Sequence, residues 1–416
     1  MERWIIHSDI NHCYAQIEEM MYPELRNVPM AVGGYEEDRH GIILAKNDLA
    51  KKYHIKTGES LKEAFQKCPE LLIVPPHYDD YLFYTEEVKR IYRDYSDKVE
   101  SFGLDEAWID ISGTEKLFHK TAIELAEEIQ RRVLNELGLT VSMGLSFNKV
   151  FAKLGSDLDK NKGLAVITRD NFKDMVFPLP VADILYIGKA TSSQLNERNI
   201  YTLGDLALSS REYIKSFLGK NGEMVWLFAN GYETFSVNSS QQMIKSVGNG
   251  ITAKHDIYNI EEAKIVLSIL AESVAKRLRQ SNKLGAVISI GMRYKDLKGL
   301  SRQKRVDTPT NIAQEILDTG MSLLRDNWNM AIPLRSLSIS VSSLIEKGNY
   351  AYQMSLFHTA NEEERNEQLH LEEVIQEIKE RWGEKSIKYG NSLLDEKLSD
   401  FSTQLGVDIH PPGFLR

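Results

Sequence analysis

Ser101-Phe102-Gly103-Leu104-Asp105-Glu106-Ala107-Trp108-Ile109-Asp110-Ile111-Ser112 is the stretch from which the fold is read outward. Val99, Ser101 and Gly103 alternate before two adjacent carboxylates. Ala107, Ile109 and Ile111 alternate after them, with Trp108 and Asp110 on the opposite side. Period-two alternation on both sides of a glycine bend indicates a β-hairpin. Asp105 and Glu106 then sit at or near its tip. An Asp-Glu pair in a turn is ordinarily a solvated loop, so the meaning of this one depends on what the rest of the chain supplies.

The chain has 416 residues, 42% hydrophobic and 27% charged, which is the balance of an ordinary soluble globular protein long enough for two to four domains. Cys13 and Cys68 form neither a metal-ligand spacing nor a disulfide framework, so a reducing, cytoplasmic setting is expected. The start, MERWIIHSD, lacks the apolar core of a signal peptide. No apolar run approaches the roughly 18 residues that span a membrane.

The net charge of −9 argues at first against a nucleic-acid partner. The average hides an asymmetry. Residues 1–110 carry a net −9 and residues 346–416 a net −6, whereas residues 241–345 carry +6. Within the basic part, Lys283, Arg293, Lys295, Lys298, Arg302, Lys304 and Arg305 stand against Asp296 alone. Such a stripe on strands fits a solvated sheet face or a phosphate-backbone binder.

In chain order, Trp4–Ser8 reads as a strand that runs into Asp9, and Ile10–Glu18 opens a helix. A carboxylate at a strand end before a helix is a common place for a metal ligand. Strands at Met30–Gly33, Gly41–Ala45 and Leu71–Val74 alternate with helices at Asn47–Tyr53 and Glu59–Lys67. Long helices are expected over Tyr78–Tyr95 and Lys116–Leu137. A strand at Thr140–Leu145, the run Gly144–Lys153 with Ser156, Asp157 and Lys160, and a strand at Leu164–Ile167 complete a mixed α/β unit. From Phe172 to Gly231 short helices follow. Val181–Leu185, a turn through Gly188 and Lys189, and Ala190–Glu197 resemble a helix-hairpin-helix whose N–H groups would face a DNA phosphate. Ser236–Met243 is a polar linker. Residues 244–346 then give β-α-β-β-α-β, a two-layer domain with one sheet face free for the basic stripe. In the tail, Tyr352–Phe357 is an apolar knot in a polar segment, and Glu362–Trp382 is an acidic amphipathic helix.

Three separated stretches, HSDINHCYAQIEE, FGLDEAWIDIS and GLSFNKVFAKLGSD, resemble in order the palm and fingers of Y-family DNA polymerases, the translesion class. The resemblance covers roughly residues 3–346. It implies a multidomain α+β right-hand polymerase with a ferredoxin-like palm (1–10 and 78–168), small fingers (11–77), a helical thumb with the helix-hairpin-helix (169–240), a little finger (244–346) that binds DNA, and a C-terminal tail (347–416). The implied activity is low-fidelity, template-directed nucleotidyl transfer from a dNTP to a primer 3′-hydroxyl. No proofreading domain is visible in the sequence.

The resemblance also implies roles. Asp9 and Asp105 would bind two Mg²⁺ ions, Glu106 would complete the site nearer the primer terminus, and the Ile10 carbonyl would add a ligand. Such an in-line displacement at phosphorus needs hard oxygen ligands around its metal. Tyr14 occupies the steric-gate position, under C2′ of the incoming sugar, although a helix tyrosine packed in the core fits the same spacing. Lys51 and Lys160 match the lysines that hold the triphosphate. Gly188, Lys189, Arg293, Lys295, Lys298, Arg302, Lys304 and Arg305 would meet DNA. Gln353, Met354, Ser355, Leu356 and Phe357 resemble the peptide by which bacterial polymerases bind the sliding clamp. A monomer is expected, associated with the nucleoid when acting.

Three positions depart from the family pattern. Asp48 replaces a tyrosine that donates to the triphosphate, which would weaken nucleotide binding. Asn161 replaces a proline, and Asn11 replaces a second acid, so Asn11 is not counted as a ligand. A catalytically weak or inactive scaffold that binds DNA and clamp is the alternative function. Asp110 is read as structural.

Overall fold

The computed structural model describes residues 3–34, 41–158, 163–238, 244–349, 362–383, 386–388 and 390–399. The chain divides into two units at Gln241/Gln242, inside the polar stretch read as a linker. Lys160, Asn161 and the peptide Gln353–Phe357 lie outside the described residues. No helix among the described residues is long and apolar enough to cross a membrane.

The first unit begins with β1 (Ile5–Ile10), α1 (Cys13–Met21), β2 (Met30–Gly33), β3 (Ile43–Lys46), α2 (Asp48–Lys51), α3 (Leu61–Lys67) and β4 (Leu72–Val74). It continues with α4 (Tyr78–Arg93), β5 (Val99–Ser101), β6 (Glu106–Asp110), α5 (Glu115–Phe118), α6 (Ala122–Leu137), β7 (Val141–Ser146), α7 (Lys149–Leu158) and β8 (Leu164–Ile167). Four further helices follow: α8 (Phe172–Val176), α9 (Lys189–Asn196), α10 (Leu203–Leu208) and α11 (Arg211–Ala229).

Its main sheet has the order β5-β6-β1-β7-β8, and β3-β2-β4 form a smaller one. β1 lies at the centre of the main sheet and alternates cleanly. Ile6 and Ile10, with Ala107, Ile109, Val141, Met143 and Leu145 from its neighbours, share one core with residues of α1, α4 and α6. Ile5, His7 and Asp9 point to the other side, where α7 packs on β1 and β7. Residues one strand position apart therefore serve different layers.

α7 approaches that second face at backbone contact. A Cβ on Gly144 of β7 would lie 1.9 Å from the Ala152 carbonyl oxygen and 2.5 Å from the Ser156 nitrogen. Gly155 stands on the facing turn of α7, and a Cβ there would be 3.0 Å from the Gly144 Cα. Glycine against glycine lets helix and strand meet without side chains between them.

Two local readings change. The helix expected over Lys116–Leu137 is two helices, because His119 adopts φ 53° and Thr121 starts α6 afresh with a capping box to Glu124. The first limb of the expected helix-hairpin-helix is a single 3-10 turn, Val181–Asp183, and Gly188 is the N-cap residue of α9.

The second unit contains β9 (Ser246–Ile257), α12 (Ile260–Gln280), β10 (Lys283–Tyr294), β11 (Gly299–Thr310), α13 (Ala313–Asn327), β12 (Leu334–Glu346), α14 (Glu362–Trp382) and α15 (Glu396–Ser399). The β-α-β-β-α-β order forms one antiparallel sheet, β11-β10-β12-β9. Ile288, Ile290, Met292, Leu337, Ile339 and Val341 face α12 and α13 in its core.

The register corrects the expectation that the basic stripe occupies the free face. Arg302 and Lys304 pair with the core-facing Ile290 and Ile288, so they lie on the helix side of the edge strand. The Arg302 Nε accordingly donates to Asn327 Oδ1 at the end of α13, 3.1 Å away. Arg293 and Arg305 belong to the opposite parity and face the open side. Alternation at period two splits a run of neighbouring cations between two faces.

The acidic helix α14, which the sequence leaves without a role, folds back on this unit. Glu372 is buried and accepts from Arg279 Nη1 at 2.9 Å. The same carboxylate accepts from the backbone N–H groups of Ala313 (2.8 Å) and Gln314 (3.2 Å). α13 has no side-chain cap of its own, so a residue of α14 caps it. Arg365–Glu315 (2.7 Å) and Lys379–Glu272 extend the contact, and farther along the chain Leu398 is buried in the core while Asp395 pairs with His255 at 3.0 Å.

Candidate active site

Sheet register sets two of the three acids side by side. Asp9 on β1 pairs directly with Glu106 on β6, so their side chains leave the same face of the sheet. Asp105 sits one residue earlier, at the end of the hairpin turn, and its carbonyl accepts from the Ile10 N–H at 3.1 Å. The turn depends on Gly103, which holds φ 96°. The hairpin read from Ser101–Ser112 is therefore present, and α7 covers the His7 and Trp108 part of the face.

Trp108 ties that face to α7. Its indole N–H donates to the Lys149 carbonyl at 2.9 Å, and the Lys149 ammonium lies 4.3 Å from the ring centroid. Lys149 is paired with Glu100 at 2.7 Å and is nearly buried. Asp110 accepts from the Ser112 N–H at 3.0 Å, in keeping with its structural reading.

Glu106 has two basic neighbours. Its Oε2 receives the Lys153 ammonium of α7 at 2.6 Å. His7 Nε2 lies 3.2 Å from the same oxygen but off the line of a good hydrogen bond, while His7 Nδ1 is 2.8 Å from Ser156 Oγ. Burial works to raise the Glu106 pKa, but His7 and Lys153 outweigh it and keep the carboxyl below its ordinary range. Asp105 is pushed the other way, by burial first and then by the Glu106 charge. Burial lowers the His7 pKa, so the cation beside Glu106 is Lys153. Among the described residues, no three His, Cys, Asp or Glu side chains stand close enough together to hold a metal ion.

Asn11 has its amide occupied. Its Nδ2 donates to Thr140 Oγ1 at 3.0 Å, and its Oδ1 accepts from Ser142 at 2.7 Å, so it ties β1 to β7. α1 then starts at Cys13, whose buried thiol is pushed up by desolvation and by the charges of Asp105 and Asp9. The next residue is Tyr14, half-buried against the core and stacked on Tyr81 with ring centroids 4.3 Å apart.

Lys51 is the exposed last residue of α2. Asn47 fixes that short helix. It is buried and accepts from the N–H groups of Ala50 (2.9 Å) and Met30 (3.1 Å), and its amide donates to Glu19 and Val28. His12 is the N-cap residue of α1. Burial keeps the His12 pKa low.

In the second unit, Arg293, Lys295, Lys298, Arg302, Lys304 and Arg305 are exposed. Lys295 pairs with Asp256 at 3.3 Å and Lys298 with Asp296 at 3.6 Å. Sequence reasoning expected a free sheet face but missed what lines it. Ser336, Ser338, Ser340 and Ser342 of β12 alternate with the core residues, opposite Thr252, Gly250, Gly248 and Ser246 of β9. The spelling Ser-x-Ser-x-Ser-x-Ser was a legible signal of a flat, small, hydroxyl-rich surface. Exposed Gly188 and Lys189 begin α9 in the first unit.

Sequence comparison settles the kinship. The impB/mucB/samB family profile matches residues 8–157, and the profile of its C-terminal domain matches residues 244–356. The chain belongs to the impB/mucB/samB family. One family relative, a DNA polymerase IV of Acetivibrio thermocellus, is 42% identical, covering 96% of this chain and 100% of the relative. A DNA polymerase IV of Clostridium kluyveri is 34% identical over 95% of this chain and 100% of its own. DNA polymerase IV 1 of Bacillus subtilis is 32% identical over 98% and 97%. A solved Y-family DNA polymerase chimera superposes with a TM-score of 0.72 at 23% identity, covering 82% of this chain and 99% of its own. DinB from Sulfolobus solfataricus superposes with a TM-score of 0.57 at 23% identity, over 82% and 98%. The Y-family resemblance carried by the three motifs and the multidomain α+β fold both hold.

Proposed function

We propose that Asp9, Asp105 and Glu106, with the Ile10 carbonyl, form the reacting end of this chain, which is a DNA-directed DNA polymerase of the translesion type. It extends a primer on a DNA template from deoxynucleoside triphosphates and depends on divalent metal. The observation that supports the assignment of residues is the register that sets Asp9 opposite Glu106 with Asp105 in the adjoining turn.

The donor set suits Mg²⁺, because every side chain in it offers carboxylate oxygen. Two Mg²⁺ ions, when bound, supply the positive charge that stabilises the attacking 3′-oxygen and the departing pyrophosphate. Lys153 donates to the Glu106 carboxylate and offsets part of the negative charge of the three acids. Asn47 and α2 present Lys51 to the triphosphate as a point charge, and Lys160 is its proposed partner. Tyr14 checks the sugar at C2′.

The palm (1–10 and 78–168), fingers (11–77), thumb (169–240) and little finger (244–346) are the proposed divisions. The Ser- and Gly-lined open face with Arg293 and Arg305 is the surface proposed to meet the duplex backbone, with Gly188 and Lys189 as a second phosphate contact. Gln353–Phe357 is proposed to bind the sliding clamp, and the enzyme to act as a monomer.

Primer extension with Mg²⁺ and deoxynucleotides tests the assignment. Extension is expected, and chelation should stop it. Absence of extension in both Mg²⁺ and Mn²⁺ would leave only a DNA-binding scaffold. Deleting Gln353–Phe357 should spare this basal synthesis and remove stimulation by an added clamp. Stimulation that survives the deletion would place the clamp contact elsewhere.

A further inference from the structure

Tyr14 does not stand alone. Glu18 lies one turn further along α1, and the i, i+4 spacing puts its carboxylate on the same helix face. Tyr78 and Tyr81, three apart on α4, meet that face. The Tyr14 and Tyr81 rings are nearly parallel, 9° apart at a centroid separation of 4.3 Å. Tyr78 sets its edge against both, at 6.1 Å from Tyr14 and 5.9 Å from Tyr81.

Tyr81 is anchored from behind. It is fully buried, and its hydroxyl donates to Glu18 Oε1. Glu18 is also fully buried and accepts from His77 Nδ1, whose distances to its two oxygens are 2.9 and 3.2 Å. A buried carboxylate keeps its donors because losing one leaves it unsatisfied. Burial and the Glu18 charge both raise the Tyr81 phenol far above its ordinary pKa, so it stays a donor.

A tyrosine ring is soft about its last torsion. A sugar check based on such a ring works only if the ring cannot tilt away from a 2′-hydroxyl. We propose that Tyr81, locked by Glu18 and His77, is a positioning residue for Tyr14, so that selection of deoxyribose over ribose is set by the stacked pair and its buried anchor. This rests on the reading of Tyr14 as the sugar check. The His77–Glu18–Tyr81 chain reaches the sugar check through the Tyr14 ring, on which Tyr81 stacks.

The test is the ratio of kcat/KM for a deoxynucleotide to that for the ribonucleotide of the same base, measured on full-length protein. Tyr14→Ala should lower the ratio by about 100-fold. Tyr81→Leu should lower it by about tenfold, through a gain in ribonucleotide kcat/KM, with the deoxynucleotide value within about threefold of the parent. Glu18→Gln, which keeps an acceptor, should restore most of the discrimination that Glu18→Ala loses. A merely structural role would reduce both substrates together and leave the ratio unchanged.

An unchanged ratio in Tyr81→Leu, with a collapsed ratio in Tyr14→Ala, overturns the inference and leaves the sugar check intact. An unchanged ratio in Tyr14→Ala overturns the sugar check and the inference with it. Should Tyr81→Leu not fold, Tyr81→Phe decides. It keeps the ring and loses only the anchor, and a parental ratio there removes the Glu18 anchor from the proposal.

Discussion

Asp105→Ala is expected to lower single-turnover primer extension by at least about 10³-fold, the scale on which loss of a dedicated charge-stabilising group acts. Binding to primer-template should stay within about threefold. The separation follows from placement. Asp105 contributes to the sheet through its backbone, since its carbonyl accepts from the Ile10 N–H. Alanine keeps that bond, and it keeps Gly103, whose φ of 96° makes the turn. What disappears is one carboxylate next to Asp9 and Glu106. Asp110→Asn is the matched control, because Asp110 spends its oxygen on the Ser112 N–H. It should retain near-parental extension. Retention of more than about a tenth of the activity by Asp105→Ala would contradict its proposed place in the site.

Gly144→Ala is expected to destabilise the first unit by more than about 3 kcal/mol, beyond the usual range for an added methyl. The new Cβ would overlap backbone on three sides: the Ala152 oxygen, the Ser156 nitrogen and the Gly155 carbonyl carbon. Backbone cannot rotate aside as a side chain can. α7 must lift, and with it Lys153 and Ser156, which reach Glu106 and His7. Chemical denaturation should show the loss, and the surviving folded fraction should show weakened catalysis. Ser142→Ala, two residues earlier on the same face, removes only a hydroxyl bond to Asn11 and should cost about 1 kcal/mol. Equal effects of the two would show that the glycine contact is not what sets the approach of α7.

The parts of this protein that the sequence showed are those written in local periodicity. Alternation around Asp105 and Glu106 gave the hairpin, and six segments in a row gave the β-α-β-β-α-β unit. The parts it concealed depend on distant partners. His7 meets Ser156 across 149 positions, and Glu18 meets Tyr81 across 63. Nothing local to either residue announces the other. The basic run from Lys283 to Arg305 misled for a different reason. Its density was evident, but which face each cation takes depends on register, and Arg302 and Lys304 fall on the helix side. The join at Lys116–Leu137 failed at Thr121-x-x-Glu124, a capping signature that was present in the sequence. The role of α14 needed Glu372 to find the bare end of α13, which only the fold brings near.

That last contact bears on how the chain withstands cutting. Residues 350–361 join β12 to α14, and both ends of the span belong to the second unit. A protease that severed this span would break one peptide bond without parting the products. The downstream fragment would keep the buried Glu372–Arg279 pair, the cap on α13 and Leu398 in the core. The nicked enzyme would travel as one particle and show its wound only when denatured.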